Sequence, residues 1–117
     1  MPKPEDEVLF RVFLGESDQH HGRPLYEAIV LKARELHLAG ATVVRGIMGY
    51  GHHSQVHTAK ILRLSEDLPV IVEIVDREER IEPLLSWLEE VIDEGLVTIE
   101  HVGVLRRGVG GRPKRDS

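Results

Sequence analysis

The sequence predicts an α+β fold in which strands and helices follow one another in the order βαββαβ. Three observations indicate this order: two segments with apolar residues at helical spacing, four segments rich in β-branched residues, and glycine or proline between them. The chain has 117 residues, of which 41% are hydrophobic, so it should form one domain. We expect that domain to span residues 8–107, with an N-terminal tail at 1–7 and a mobile basic tail at 108–117.

The first strand, the first helix and the second strand lie within the first 50 residues. Apolar residues recur at alternate positions over residues 8–14, which predicts a strand buried mainly on one face. Pro24 stands at the favoured first position of a helix, and Gly40 is placed to end it. The second strand is predicted over residues 41–50, where Gly46 marks either a bulge or a close backbone approach. The buried face of the helix should comprise Leu25, Ala28, Ile29, Ala33 and Leu36.

The remaining elements complete a split βαβ arrangement. Residues 69–75 form a continuous β-branched run, which predicts a central strand, and Asp76 and Glu79 have the spacing of a helix capping box. Gly95 ends the second helix, and residues 96–105 form the last strand. The apolar face of the second helix should comprise Ile81, Leu84, Leu85, Leu88, Val91 and Ile92.

Right-handed crossovers place both helices on one face of a four-stranded antiparallel sheet, as in a ferredoxin-like sandwich. The other face of the sheet would then expose apolar side chains, and self-association is the economical way to cover them. These side chains should include Leu9, Phe13, Val43 and Ile47.

Composition and charge exclude several classes of site. Cysteine is absent, which excludes disulfides, thiolate metal sites and cysteine nucleophiles, so a metal would need histidine or carboxylate ligands. The last twelve residues carry a net charge of +4 and residues 1–105 carry −9, and this acidic body argues against nucleic acid as a partner. No apolar run approaches the roughly 20 residues needed for membrane insertion. The N-terminus lacks an apolar signal region, so we expect a cytoplasmic location.

The connection between the second and third strands is the main candidate for a functional segment. Residues 51–67 form it, far more than the two to five residues of a common hairpin loop. Glycines flank Tyr50 and would let the backbone approach a ligand closely. Arg45 and Lys60 add positive charge that could pair with a phosphate or carboxylate, or could balance nearby carboxylates. The segment begins Gly49-Tyr50-Gly51-His52-His53-Ser54-Gln55-Val56-His57.

The histidines of this connection allow more than one interpretation. His53 and His57 are four residues apart, a spacing compatible with a divalent metal, and His52 lies beside them. They could equally hydrogen-bond a phosphate or a base, or be solvated. The other polar loop, at residues 16–23, should serve mainly as a helix cap. No recognisable set of acid, base and nucleophile is present, so we do not expect an enzyme.

Four stretches of the sequence are similar to a known family. The chain resembles the trimeric PII-like signalling proteins, and specifically the bacterial branch catalogued as domain of unknown function family 190. The resemblance covers residues 8–107. It is carried by Phe13-Leu14-Gly15-Glu16, Pro24-Leu25-Tyr26-Glu27-Ala28-Ile29-Val30, Ala39-Gly40-Ala41-Thr42-Val43 and Gly46-Ile47-Met48-Gly49-Tyr50-Gly51.

The resemblance implies a homotrimer that binds a small-molecule effector, an adenine nucleotide, in clefts between its subunits. The long connection would report occupancy of the cleft to a target protein, such as a membrane transporter or an enzyme. The residue at 53 falls near the family's magnesium-serving glutamine, and the C-terminal arginines would reach phosphates. The candidate ligand-binding residues are Arg45, Gly49, Tyr50, Gly51, His52, His53, Lys60, Arg106 and Arg107.

Two features depart from the PII pattern. PII proteins hold phosphates with a Gly- and Lys-rich loop before the last strand, whereas this chain has the short acidic turn Asp93-Glu94-Gly95-Leu96. The connection also lacks the tyrosine that PII proteins modify at its tip. A monophosphate, another small effector or a metal therefore fits better than a triphosphate. The alternative hypothesis is a divalent metal-binding trimer, similar to copper-tolerance proteins of the same fold, with His52, His53 and His57 as ligands.

Overall fold

The computed structural model describes residues 3–50 and 67–107, which form a four-stranded antiparallel sheet, a two-stranded hairpin and two helices. The order in the large sheet is β4-β5-β1-β6. This arrangement confirms the predicted α+β, ferredoxin-like sandwich. Across the described ranges, neither helix is long and apolar enough to span a membrane. The elements are β1 (Glu5–Gly15), β2 (Gln19–His20), β3 (Arg23–Pro24), α1 (Leu25–Glu35), β4 (Thr42–Arg45), β5 (Pro69–Asp76), α2 (Glu78–Val91) and β6 (Leu96–Val104).

The core lies between the two helices and one face of the sheet. From Val8 onward in β1, and throughout β5, even-numbered residues are buried and odd-numbered ones are half-buried, so each central strand has one face toward the helices. Burying each large aliphatic or aromatic side chain contributes about 1.5–3 kcal/mol. The largest fully buried side chains are Phe10, Ile29, Ile74, Ile81, Leu84, Leu88, Val8, Val12 and Val72.

Strand boundaries differ from the sequence expectation in two places. β1 begins at Glu5 because residues 5–7 pair with β6, so the expected N-terminal tail at 1–7 is wrong for those three residues. β4 ends at Arg45, five residues earlier than expected. Val43 pairs with Val72 and therefore shares the helix-facing side of the sheet. The uncovered face instead carries Val44, which pairs with Ile71, while Ile47 lies beyond the strand.

Helix α1 ends earlier than the position of Gly40 predicted. The last helical residue is Glu35, and His37 adopts a left-handed backbone conformation with φ of 62°. Its amide donates to the carbonyl of Arg34 at 3.0 Å, and Arg80 of α2 donates to the carbonyl of His37. A histidine therefore takes the position that Gly40 was expected to fill, and the neighbouring helix helps to hold the turn.

The expected capping box at the start of α2 does not form. No side chain caps this helix, and Glu79 forms an ion pair with Arg77 at 3.5 Å. The Asp76 carboxylate instead accepts hydrogen bonds from the backbone amides of Ala39 at 2.9 Å and Arg77 at 2.8 Å, and it pairs with Arg80 at 3.1 Å. Asp76 therefore joins the segment after α1 to the junction between β5 and α2.

The segment between β1 and α1 forms a hairpin and does not cap α1 with a side chain. His20 pairs with Arg23, and the turn between them has positive φ at His21 (54°) and Gly22 (78°). Two consecutive positive φ angles are typical of a tight two-residue hairpin turn. The hairpin therefore projects a defined set of side chains over the helices.

Candidate functional site at the base of the long connection

The direction of the strands divides the candidate residues between two opposite ends of the sheet. β1 and β4 run one way, and β5 and β6 run the other way. The last residues of β1 and β4 therefore lie beside the first residues of β5. We call this end of the sheet, with Gly15, Arg45 and Pro69, the loop end. The opposite end of the sheet, with Glu5 and Val104, is called the tail end.

Glycines pack the base of the long connection tightly against Pro69. The amide of Gly46 donates to the carbonyl of Pro69 at 2.7 Å. A Cβ atom on Gly46 would lie 2.8 Å from Cγ of Pro69, and one on Gly49 would lie 3.2 Å from the same atom. The structure thus shows a close backbone approach at Gly46, one of the two alternatives that the sequence left open. A larger residue there would have to push the start of β5 away.

Tyr50 is the last described residue before the connection, and its side chain is largely solvent-exposed. It is 75% exposed, and the preceding Ile47 and Met48 are 90% and 65% exposed. Exposed apolar groups close to one another commonly mark a surface for a ligand or a partner. A tyrosine ring at such a position can stack on a planar base, an interaction worth about 1–3 kcal/mol in nucleic-acid complexes.

Arg45 forms an ion pair with Glu16 at the loop end. The Arg45 side chain is 59% exposed and the Glu16 side chain 22% exposed. The second carboxylate oxygen of Glu16 is buried and has no hydrogen-bond partner within the described part of the chain. The guanidinium is therefore held by a carboxylate on one side and open to an incoming anion on the other.

Asp67, the first described residue after the connection, is fixed to the end of β1. Its carboxylate accepts from the backbone amide of Ser17 at 3.1 Å and from the Ser17 hydroxyl at 2.9 Å. A Cβ atom on Gly15 would lie 2.7 Å from the same carboxylate oxygen, so glycine makes room for it. Sequence reasoning missed this contact, because no spacing rule joins Ser17 to a residue 50 positions away.

The turn between α2 and β6 also lies at the loop end. Gly95 packs closely against β1, since a Cβ atom there would lie 3.1 Å from the carbonyl oxygen of Phe13. Asp93 and Glu94 are exposed on this turn. This turn therefore places negative charge at the loop end, where it would disfavour a strongly anionic group.

The C-terminal arginines lie at the tail end. Arg107 forms an ion pair with Glu7, which is only 5% exposed, and its Nη2 atom lies 3.5 Å from the carbonyl of Val75. Arg106 beside it is exposed. β1 has 11 residues, and at about 3.3 Å per residue the two ends lie roughly 30 Å apart. One protomer therefore does not bring these arginines to Tyr50.

The uncovered face of the sheet has an ionic centre between apolar side chains. Arg11 donates to Glu73 at 3.0 Å and to Glu100 at 2.9 Å. The hydrogen bond to Glu73, helped by Glu100, raises the pKa of Arg11 against the opposing effect of desolvation. The apolar side chains along the same face include Leu9, Phe13, Val44, Ile71, Val75 and Leu96. This is the face on which self-association is expected.

Residues 7–104 match the family named domain of unknown function 190 (DUF190), described as uncharacterized ACR. The chain belongs to the DUF190 family. It is 40% identical over 99 residues to the UPF0166 protein of Aquifex aeolicus (strain VF5), a match covering 83% of this chain and 91% of that protein. It is 41% identical over 92 residues to a UPF0166 protein of Methanocaldococcus jannaschii, covering 78% of this chain and 84% of the other.

The DUF190 chain also has the fold of a solved PII-like protein. CPII, a nitrogen regulatory PII-like protein from Thiomonas intermedia K12, superposes with a TM-score of 0.64 at 19% sequence identity in its structure bound to ADP, AMP and bicarbonate. The alignment covers 91% of this chain and 94% of CPII. The predicted resemblance to PII-like proteins and to family 190 is therefore confirmed for the family and for the fold.

The predicted ligand-binding residues of the DUF190 chain fall into three sets. Arg45, Gly49 and Tyr50 lie together at the loop end, and Arg106 and Arg107 lie at the tail end. The remaining candidates, including the three histidines of the metal hypothesis, lie outside the described residues: Gly51, His52, His53, His57 and Lys60. Within the described ranges, no group of three or more His, Cys, Asp or Glu residues could hold a metal ion.

Proposed function

We propose that this DUF190 protein is a non-enzymatic PII-like sensor of a small ligand. The ligand would be an adenine nucleotide with one or two phosphates, such as AMP or ADP. The ligand would bind in clefts between the subunits of a homotrimer. The observation that carries this proposal is the loop end, where exposed Tyr50 and Arg45 stand at the base of a long connection. The fold is shared with CPII, one structure of which is bound to ADP and AMP.

The separation of the two ends supports a cleft made by two subunits. Tyr50 and Arg45 offer an aromatic ring and a cation at the loop end, and Arg106 offers a further cation at the tail end of the sheet. A mononucleotide is much shorter than the roughly 30 Å between these ends. Contact with both sets requires the loop end of one protomer to meet the tail end of the next, as a cyclic homotrimer permits.

Two adjacent residues of the loop end connect ligand binding to signalling. Glu16 pairs with Arg45, shortly before the long connection, and Ser17 binds Asp67, at its other end. An anion that draws Arg45 away from Glu16 would therefore perturb both ends of the connection. The ligand needs only to favour one arrangement of the connection over another, and a coupling of about 1–3 kcal/mol is sufficient for a switch.

Calorimetry with the purified protein tests the ligand. We expect saturable binding of AMP and ADP, and weaker binding of ATP because of the acidic turn at the loop end. Arg45→Gln and Tyr50→Ala should each weaken AMP binding at least about tenfold, equivalent to about 1.4 kcal/mol. Arg34→Gln, an exposed charge change on α1, is the matched control and should leave the affinity unchanged. Absence of heat with any adenine nucleotide at millimolar concentration would refute the proposal.

Mixed trimers test whether the cleft is shared between subunits. Tyr50→Ala damages only the loop end of each cleft, and Arg106→Gln damages only the tail end. Each variant alone should bind AMP poorly. When the two variants co-assemble in equal amounts, about one quarter of the clefts should combine an intact Tyr50 from one subunit with an intact Arg106 from its neighbour. If all groups of a site belong to one protomer, mixing restores nothing. That outcome would contradict the shared cleft while leaving ligand binding itself intact.

A further inference from the structure

We propose a second ligand site on the helix side of the molecule, which binds a small planar aromatic anion. The site is a pocket of about 290 Å³ between the β2–β3 hairpin and the two helices, here called the hairpin pocket. It contains none of the loop-end or tail-end residues, so the inference is independent of the proposed nucleotide site. Its lining residues are His20, His21, Arg23, Ala28, Leu31, Lys32, Glu35 and Trp87.

Aromatic rings form one wall of the hairpin pocket. The ring of His20 meets Trp87 edge to face, with centroids 5.8 Å apart and planes at 84°. His21 in turn meets His20 edge to face, with centroids 4.1 Å apart. The hairpin turn, with positive φ at His21 and Gly22, sets the direction of these rings. Rings held in this way offer a planar ligand both stacking and edge contacts at little ordering cost.

Two cationic side chains, Arg23 and Lys32, line the pocket together with the aromatic wall. The Lys32 ammonium lies 5.9 Å from the centroid of the Trp87 ring, and Arg23 lies on the hairpin opposite His20. One carboxylate also lines the pocket: Glu35 is 3.6 Å from Lys32 and is largely exposed. The lining therefore has a net positive charge even when both histidines are neutral, although residues 1–105 together carry −9. Such a local reversal of charge favours an anion.

The size and the location of the hairpin pocket restrict its ligand. A volume of about 290 Å³ is at the lower limit of common ligand pockets, so it accommodates one ring with one acidic group. Ala28 and Leu31 of α1 supply an apolar floor for the ring. The pocket lies on the helix layer, so association through the uncovered face of the sheet leaves it open. The ligand class is thus an aromatic carboxylate or an aromatic phosphate.

Fluorescence of the native protein tests this site directly, because Trp87 is the only tryptophan of the chain. Benzoate and phenyl phosphate are the probes, and their relative affinity distinguishes a carboxylate from a phosphate ligand. Cyclohexanecarboxylate retains the charge without the aromatic ring, and benzyl alcohol retains the ring without the charge. We expect a saturable change in Trp87 emission with at least one aromatic anion and at least tenfold weaker responses to both control compounds. No saturation at tens of millimolar, or equal responses to the controls, would overturn the proposal.

Variants then assign the response to this pocket. Lys32→Gln and Arg23→Gln should each weaken binding of the better probe about fivefold to tenfold, whereas Arg34→Gln on the same helix lies outside the pocket and should not. Trp87→Phe keeps a ring, and calorimetry should show binding within about threefold of the native protein. If the two charge variants behave like the Arg34 control, the pocket is not the binding site.

Discussion

Replacing Asp76 by asparagine should destabilise the protein, and the loss should depend on pH. The side chain is buried, and its carboxylate holds two backbone amides, those of Ala39 and Arg77, together with the Arg80 guanidinium. Asparagine has nearly the same shape but only one oxygen and no charge. The variant therefore loses one backbone hydrogen bond and the ion pair while leaving no cavity.

The contacts of Asp76 set the magnitude. A hydrogen bond to a charged group contributes about 1.5–3 kcal/mol, and Asp76→Asn removes one such bond to a backbone amide. The partly exposed Arg80 pair adds at most about 1 kcal/mol. We therefore expect the free energy of unfolding at pH 7 to fall by about 1.5–4 kcal/mol, which in a chain of this size lowers the melting temperature by on the order of 10 °C.

The pH dependence follows from the carboxyl pKa. Burial acts to raise the pKa of Asp76, but hydrogen bonds from Arg77 and Ala39, and the charge of Arg80, outweigh it and hold the pKa below its ordinary value. A carboxyl pKa that is lowered on folding contributes stability above the unfolded-state pKa of about 3.9, and that stability is lost as the pH falls through the folded-state value. The difference between the native protein and the variant should therefore shrink below about pH 4.

Urea denaturation at several pH values between 7 and 3 measures this difference. Glu79→Gln is the control, because Glu79 is exposed, forms only a weak ion pair with Arg77, and does not complete a capping box. It should change stability by less than about 0.5 kcal/mol at every pH. A loss for Asp76→Asn that is as small as the control, or that stays constant down to pH 3, would refute the role given to this carboxylate.

Three further substitutions test the packing of the sheet and its two ends. Gly46→Ala places a Cβ atom 2.8 Å from Pro69 and should lower the free energy of unfolding, measured by urea denaturation, by about 1–3 kcal/mol. The control Gly40→Ala adds a Cβ atom in open space and should lower it by less than about 0.5 kcal/mol. Leu88→Ala removes a fully buried side chain and should lower the free energy of unfolding by about 2–5 kcal/mol. A smaller loss would contradict the packing of α2 against the core. Arg107→Ala leaves buried Glu7 without its cation and should lower the melting temperature, an effect that Glu7→Gln in the same chain should relieve.

The sequence predicted the fold well because the strongest signals in it are periodic. The strand periodicity of β1 and the helical spacing of apolar residues in α2 are both visible in the sequence, and the structure buries the faces that they predict. The right-handed crossover rule then determines which face of the sheet the helices cover. The ends of elements were predicted less well. Gly40 has the usual preference for a helix end, but His37 takes the left-handed conformation because the α2 side chain Arg80 holds its carbonyl. Tertiary contacts of this kind do not appear in local sequence.

The candidate site was predicted only in part, for a similar reason. Glycine next to an aromatic residue indicated the base of the connection, and the structure packs Gly46 and Gly49 on Pro69. The contact of Ser17 with Asp67 depends on which strands are neighbours, and no pattern within either segment indicates it. The opposite positions of Tyr50 and Arg106 likewise follow from strand direction, which becomes visible only when the sheet is assembled.

If the proposed ligand binds at the loop end, the energetics of the Arg45 ion pair would favour a switch over a permanently occupied structural site. A partly exposed ion pair such as Arg45 with Glu16 contributes about 0–1 kcal/mol, because solvent screens it and two long side chains lose freedom. A phosphate that binds the same guanidinium by two parallel hydrogen bonds gains roughly twice the energy of a neutral hydrogen bond for each of them. In the proposed function, such a ligand would compete with Glu16 for Arg45. Since Glu16 is adjacent to Ser17, which holds Asp67, displacement of Glu16 would act on both ends of the connection.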